Sequence, residues 1–275
     1  MSAGEGDTSG VSSPPIPLDR WAAHPRGRLF TRTWTPPEPA GAPIVLLHDS
    51  LGSVELWRDF PAALCAATSR AVIAYDRLGF GRSGARPDRL QPGFVAEEAA
   101  SFFPALREAF AIDRFVLFGH SVGGGMAIEC AARFGADCDA LITEAAQAFT
   151  EDRTLQGIRA AREQFQDPEQ LGRLARWHGD KARWVLEAWT QTWLSPGFAD
   201  WTLATVLPRV HCPVLALHGE HDEFGSRRHP ETIRALAGGP VRMEILPDTN
   251  HVPHRERPAR VLAIVADFLA GTSER

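Results

Sequence analysis

Gly119-His120-Ser121-Val122-Gly123 decides the reading of this chain. An apolar run, Arg114 to Phe118, precedes it. Gly124-Gly125-Met126-Ala127-Ile128-Glu129-Cys130-Ala131-Ala132, which reads as a helix, follows it. A strand, a sharp turn around a serine, then a helix is the context that makes Gly-x-Ser-x-Gly a nucleophile elbow. Strand and helix pack so tightly there that side chains two residues either side of the serine would collide, and Gly119 and Gly123 remove them. The serine is held in a strained conformation with its hydroxyl lifted above the sheet edge. The helix that follows aims its N-terminal dipole at the place where negative charge would develop.

Outward from that turn, short apolar runs alternate with helical spacing. Gly27–Trp34 reads as an early strand. Pro43–His48, Ala71–Tyr75, Ala140–Thr143, Pro213–His218 and Val241–Leu246 read as further strands, several of them continuous enough to be buried on both faces. Helices are expected over Val54–Ala67, over Phe94–Phe110 with Pro104 as a kink or boundary, and over Pro258–Leu269. This alternation implies an α/β fold with a doubly wound, mostly parallel sheet. Ligands of such sheets sit beyond the carboxyl ends of the strands.

One region breaks the pattern. From Phe149 to Leu207 no strand is evident, and Trp177, Trp184, Trp189, Trp193 and Trp201 crowd a helical stretch. It reads as a helical cap, residues 149–207, inserted into a core formed by 25–148 and 208–275. Ala182, Val185, Leu186, Trp189 and Trp193 share one helical face. They either line a substrate pocket or pack on a neighbouring helix. Arg173, Arg176, Lys181 and Arg183 are expected to solvate the outer face. Residues 1–24, rich in Gly, Ser and Pro at their start, read as a disordered tail and lack the pattern of a secretory signal.

Composition sets bounds. The chain has 275 residues, 44% hydrophobic and 23% charged, with a net charge of −5. That suits a globular protein with a sizeable core. It gives no basic stripe for nucleic acid, and no apolar run long enough to cross a membrane. Cys65, Cys130, Cys138 and Cys212 match no zinc or redox spacing, so reduced, mostly buried thiols in a cytoplasmic protein are expected. Cys130 and Cys138 are close in sequence, but Cys130 lies in an expected helix. No metal-ligand cluster and no phosphate cradle is evident, so neither metal nor cofactor is expected. The expected partner is a small apolar substrate, and a homodimer is compatible with the chain.

A serine needs a base, and the base an orienting acid. His218-Gly219-Glu220-His221-Asp222 follows one buried strand, and Asn250-His251-Val252-Pro253-His254-Arg255-Glu256-Arg257-Pro258 follows the last. With the elbow and with Asp76-Arg77-Leu78-Gly79-Phe80-Gly81-Arg82-Ser83, the chain resembles the α/β-hydrolase superfamily in its cap-bearing serine hydrolase branch, over residues 25 to 272. The resemblance implies Ser121 as nucleophile, His251 as general base and acid, and Asp222 as orienting carboxylate. Glu144 is the rival acid because it too ends a strand, and His254 is the rival base. Val122 N–H and Ser50 N–H would face the oxyanion, with Leu51, Trp189 and Trp193 as further substrate-binding candidates. The family usually has His-Gly-x where this chain has His48-Asp49-Ser50. An anion at Asp49 is unwelcome beside an oxyanion unless it is paired.

The activity expected is hydrolysis of a small or medium apolar carboxylic ester through an acyl-enzyme. Hydrolysis of a C–C bond in a diketone-like substrate, a thioester, a lactone or an amide stays open, as does a ligand-binding protein on the same scaffold. Dehalogenase and epoxide hydrolase chemistry is disfavoured, because those branches use an aspartate where this chain has Ser121.

Overall fold

The computed structural model describes residues 15–273. Eight strands form one sheet in the order β1-β2-β4-β3-β5-β6-β7-β8. They are β1 (Leu18–His24), β2 (Gly27–Trp34), β3 (Ile44–Leu47), β4 (Val72–Tyr75), β5 (Phe115–His120), β6 (Cys138–Glu144), β7 (Val214–Gly219) and β8 (Val241–Leu246). β1, β2 and β4 pair antiparallel, and from β4 through β8 all pairing is parallel. Val45 and Leu47 of β3 face one hydrophobic cluster while Ile44 and Leu46 face the other, so the sheet is covered on both sides.

The helices are α1 (Phe60–Thr68), α2 (Phe94–Glu97), α3 (Phe103–Phe110), α4 (Val122–Arg133), α5 (Asp152–Gln164), α6 (Pro168–His178), α7 (Ala182–Trp193), α8 (Arg228–Leu236), α9 (Pro253–Glu256) and α10 (Pro258–Ser273). Among the described residues no helix is long and apolar enough to cross a membrane.

The structure corrects two local expectations. Residues 18–24 are not tail. Leu18–His24 is an edge strand in register with β2, held by the cross-strand Asp19–Arg32 ion pair at 2.6 Å and by Arg28 over the Trp21 ring at 4.1 Å. Only Ala22 of this strand is buried, so its sequence carries no alternating apolar signal. Residues 1–14 of the expected tail lie outside the described residues. The helix expected over Val54–Ala67 is broken. A 3₁₀ turn, Val54–Trp57, ends at Arg58 with φ 53°, and α1 restarts with Pro61 in its first turn. Pro104 does open a helix: a π turn, Glu98–Phe102, joins α2 to α3, and Pro104 sits in the first turn of α3.

Between β6 and β7 the chain leaves the sheet through α5, α6 and α7. The two ends of this excursion are stitched by a Phe149–Thr202 bridge and by Leu203 N–H on Ala148 O at 2.7 Å. All four cysteines are free and buried; Cys138 lies 3.7 Å from Cys212 rather than beside Cys130.

Candidate active site

Ser121 sits at the β5–α4 junction with φ 56° and ψ −127°, a strained pair of angles for a residue with a side chain. A Cβ on Gly119 would run into the Gly123 carbonyl, and one on Gly123 into the Leu47 carbonyl. Both glycines are therefore demanded by close approach of backbones, and the serine is held at the C-terminal edge of the sheet.

The candidates from β5, β7 and β8 converge there. The Ser121 hydroxyl lies 3.0 Å from His251 Nε2, and His251 Nδ1 lies 2.9 Å from both carboxylate oxygens of Asp222. Burial alone would raise the Asp222 carboxyl. The adjoining His251 ring and the Phe224 N–H hold it below the usual carboxylate range instead. Asp222 Oδ1 also accepts the N–H groups of Phe224 and Gly225 at 2.8 and 2.9 Å. Glu256 braces the histidine loop: its carboxylate accepts Asn250 N–H at 2.8 Å and Val252 N–H at 3.1 Å, on both sides of His251.

The two rivals pair with each other. Glu144 Oε2 is 2.5 Å from His254 Nδ1, both buried, and the His254 ring lies tilted against Trp57 with centroids 4.7 Å apart. His120, Glu144 and His254 bring possible metal-binding atoms within 4.8 Å of one another. However, both His120 nitrogens are already committed, Nε2–H to His251 O at 2.8 Å and Nδ1 to Asp49.

The loop after β3 resolves the Asp49 question. Asp49 Oδ1 accepts Leu51 N–H at 2.9 Å, so Leu51 has no backbone donor left for an oxyanion. Val122 N–H, at the first turn of α4, and Ser50 N–H have no partner among the described residues. The Asp49 carbonyl is fixed by Arg77 Nη2 at 2.7 Å and by His48 Nδ1 at 2.8 Å.

A cavity of about 180 Å³ opens over Ser121 and His251, and Asp49, Ser50, Leu51, Trp189 and Trp193 stand in its lining. Gln147, Thr154, Ile158, Phe224 and Val252 complete its wall, with no Lys or Arg among the lining residues. Phe224, missed in the sequence, packs at a tilt against the His251 ring with centroids 4.9 Å apart; its position two residues after the acid was the available signal. His178 was missed as well. It accepts Gly81 N–H at 2.9 Å and donates to Leu51 O at 3.0 Å, tying α6 to two loops of the core. Lys181 does not solvate an outer face: its ammonium donates to the carbonyls of Gly81 and Ser83 at 2.7 and 2.9 Å.

A family model described as the alpha/beta hydrolase family matches residues 44–264. The mouse serine hydrolase BPHL is 28% identical over 246 residues, covering 82% of this chain and 78% of its own. The solved proline iminopeptidase of Mycobacterium smegmatis is 23% identical with a TM-score of 0.69, over 93% of this chain and 98% of its own. A bacterial membrane phospholipase A is 20% identical with a TM-score of 0.75, over 94% and 87%. The two structures share the fold with this chain.

Proposed function

The chain belongs to the alpha/beta hydrolase family, and from that premise we propose that it cleaves a small or medium apolar carboxylic ester through an acyl-serine intermediate. One observation carries this reading: the unbroken Asp222–His251–Ser121 hydrogen-bond chain at the floor of a largely apolar cavity. The name of the mouse relative, a serine hydrolase, accords with it.

With Nδ1–H held by Asp222, His251 Nε2 carries the lone pair and takes the Ser121 proton as Oγ attacks the carbonyl carbon. The carbonyl π electrons move to oxygen, where Val122 N–H and Ser50 N–H stand free to receive the oxyanion. Collapse breaks the ester C–O bond, and His251 passes its proton to the departing alkoxide. Water then repeats the cycle on the acyl-serine and releases the acid. The lining supports the substrate class: apolar side chains dominate, and the absence of Lys and Arg there disfavours a substrate that carries a carboxylate.

The test is a chain-length series of p-nitrophenyl esters with wild type and Ser121→Ala in parallel. Ser121-dependent turnover with an acyl burst is expected. No turnover, with Ser121 still labelled by a fluorophosphonate, would move the reading to a thioester, lactone, amide or C–C bond. Neither turnover nor labelling would favour a binding protein.

A further inference from the structure

Gln147 is a polar residue at the nucleophile that the mechanism above does not use. It is 3% exposed and lines the cavity. One end of its carboxamide, Oε1, lies 3.2 Å from Ser121 Oγ as a second acceptor for the single hydroxyl proton, beside His251 Nε2 at 3.0 Å. Its amide nitrogen forms no hydrogen bond among the described residues and is not sealed from solvent.

The placement is built by the surrounding backbone. Gln147 follows β6 on a segment that begins with Ala145 at φ 49°. Ala145 N–H is bonded to Leu217 O at 2.9 Å, Ala148 N–H to His229 Nδ1 at 3.2 Å, and Ala148 O receives Leu203 N–H at 2.7 Å. His229 is itself fixed by Glu151 at 3.0 Å from its other nitrogen. A Cβ on Gly124 would collide with Ala146, so helix α4 presses on the same segment. Two bonded anchors and a left-handed residue thus fix the backbone from which the carboxamide reaches the nucleophile.

The chemistry follows from desolvation. In the open cavity water can satisfy the amide N–H₂. An acyl chain that fills the cavity expels that water and leaves the donor buried unless the chain brings an acceptor. A site with a fixed polar group rejects the analogue that cannot bond to it. Three directions leave the tetrahedral carbon besides its bond to Oγ. The oxyanion must face Val122 and Ser50, and the leaving oxygen must face His251 Nε2. The acyl chain takes the remaining side, toward Gln147 and the cavity wall.

We propose that Gln147 reads an oxygen atom on the acyl part of the substrate, so that the ester cleaved here carries a hydroxyl, keto or ether oxygen at the α or β carbon. This rests on the ester reading and narrows it: apolar in bulk, oxygenated beside the scissile carbonyl. The reach is set by where the carboxamide stands: its Oε1 end is 3.2 Å from Oγ, the atom that becomes bonded to the carbonyl carbon, and the donating nitrogen is the other end of the same group.

The test uses an isosteric pair, p-nitrophenyl methoxyacetate and p-nitrophenyl butyrate, which differ by ether oxygen against methylene. kcat/KM is measured for both on wild type, Gln147→Leu and Gln147→Met, the second variant covering a failure of the first to fold. Fluorophosphonate labelling of Ser121 checks that each variant keeps its site. The intrinsic reactivity of the ether ester cancels when its preference over butyrate is compared between proteins. That preference is expected to fall about tenfold in the variants, the worth of one buried neutral hydrogen bond. An unchanged preference, with both esters slowed alike, would overturn the proposal and leave Gln147 as a support for Ser121, with the ester reading intact. Absence of Ser121-dependent turnover of either ester by wild type would overturn the ester reading and this inference with it.

Discussion

Asp49 Oδ2 lies 3.4 Å from His120 Nδ1, so the residue standing where the family usually has glycine is paired with the residue immediately before the nucleophile. The same imidazole donates from Nε2 to the His251 carbonyl at 2.8 Å. One ring therefore joins the loops after β3, β5 and β8. Burial opposes charge on both partners. Yet the Asp49 bond, with Glu144 nearby, pushes His120 up, and His120 holds Asp49 well below the usual carboxylate range. The carboxylate next to the oxyanion site is thus paired, and each partner favours the charged form of the other.

Asp49→Asn keeps an acceptor for Leu51 N–H and removes the charge. We expect a stability loss of about 1–3 kcal/mol. His120 has its pKa raised on folding, so its contribution is full below about 6.5 and fades as pH rises through the folded value. Asp49 is depressed, so its contribution is present above about 3.9 and fades as pH falls through the folded value. The gap between wild type and variant should be widest between about pH 4 and 6.5 and narrow toward alkaline pH. Urea unfolding at acidic and alkaline pH measures it; an equal gap at both would count against the charged pair.

Ser121→Ala should lower turnover by at least about 10⁴-fold with the fold intact. Ser121→Gly should be equally inactive but more stable than the alanine variant by about 1 kcal/mol, because φ 56° suits glycine. Thermal melts of the two variants decide the second point, and identical midpoints would mean no strain is held at the elbow.

Asp222→Asn should cost roughly 10⁴-fold in kcat, since the imidazole would lose its required tautomer. Glu144→Gln should change kcat by less than about tenfold while lowering stability by about 1–3 kcal/mol through the His254 pair. If the kinetic order of the two variants is reversed, Glu144 is the acid.

Trp189→Ala should enlarge the cavity and move the acyl-chain optimum to longer esters. Each methylene newly accommodated is worth about 0.8 kcal/mol, roughly fourfold in kcat/KM. An unshifted optimum would place Trp189 outside the acyl path.

Much of the site was legible because its constraints are local. Gly119 and Gly123 flank Ser121 for a steric reason that acts within five residues. Asp222 follows the continuous buried strand β7 and His251 the half-buried edge strand β8, which pairs parallel with it, so topology brings both to one sheet edge. Glu256 sits at a helix-start distance from the loop it grips. The expectations that failed had no such local signature. Leu18–His24 is half-solvated and reads as tail until β2 pairs with it. Lys181 looks like a surface charge until the Gly81 and Ser83 carbonyls are found beneath it.

The sequence by itself determined most of the sheet, the elbow, and the few side chains from which the hydrogen-bond chain is drawn, because backbone sterics and strand periodicity act over short spans. Only the tertiary structure decided that Asp49 is paired rather than free, that Glu144 belongs to His254, that Leu51 N–H is spent, and that Gln147 stands at the nucleophile. Each of those depends on partners far apart in the chain, such as Asp49 with His120 and Glu144 with His254. A buried polar atom takes whatever partner packing delivers within about 3 Å, and packing is a property of the whole fold.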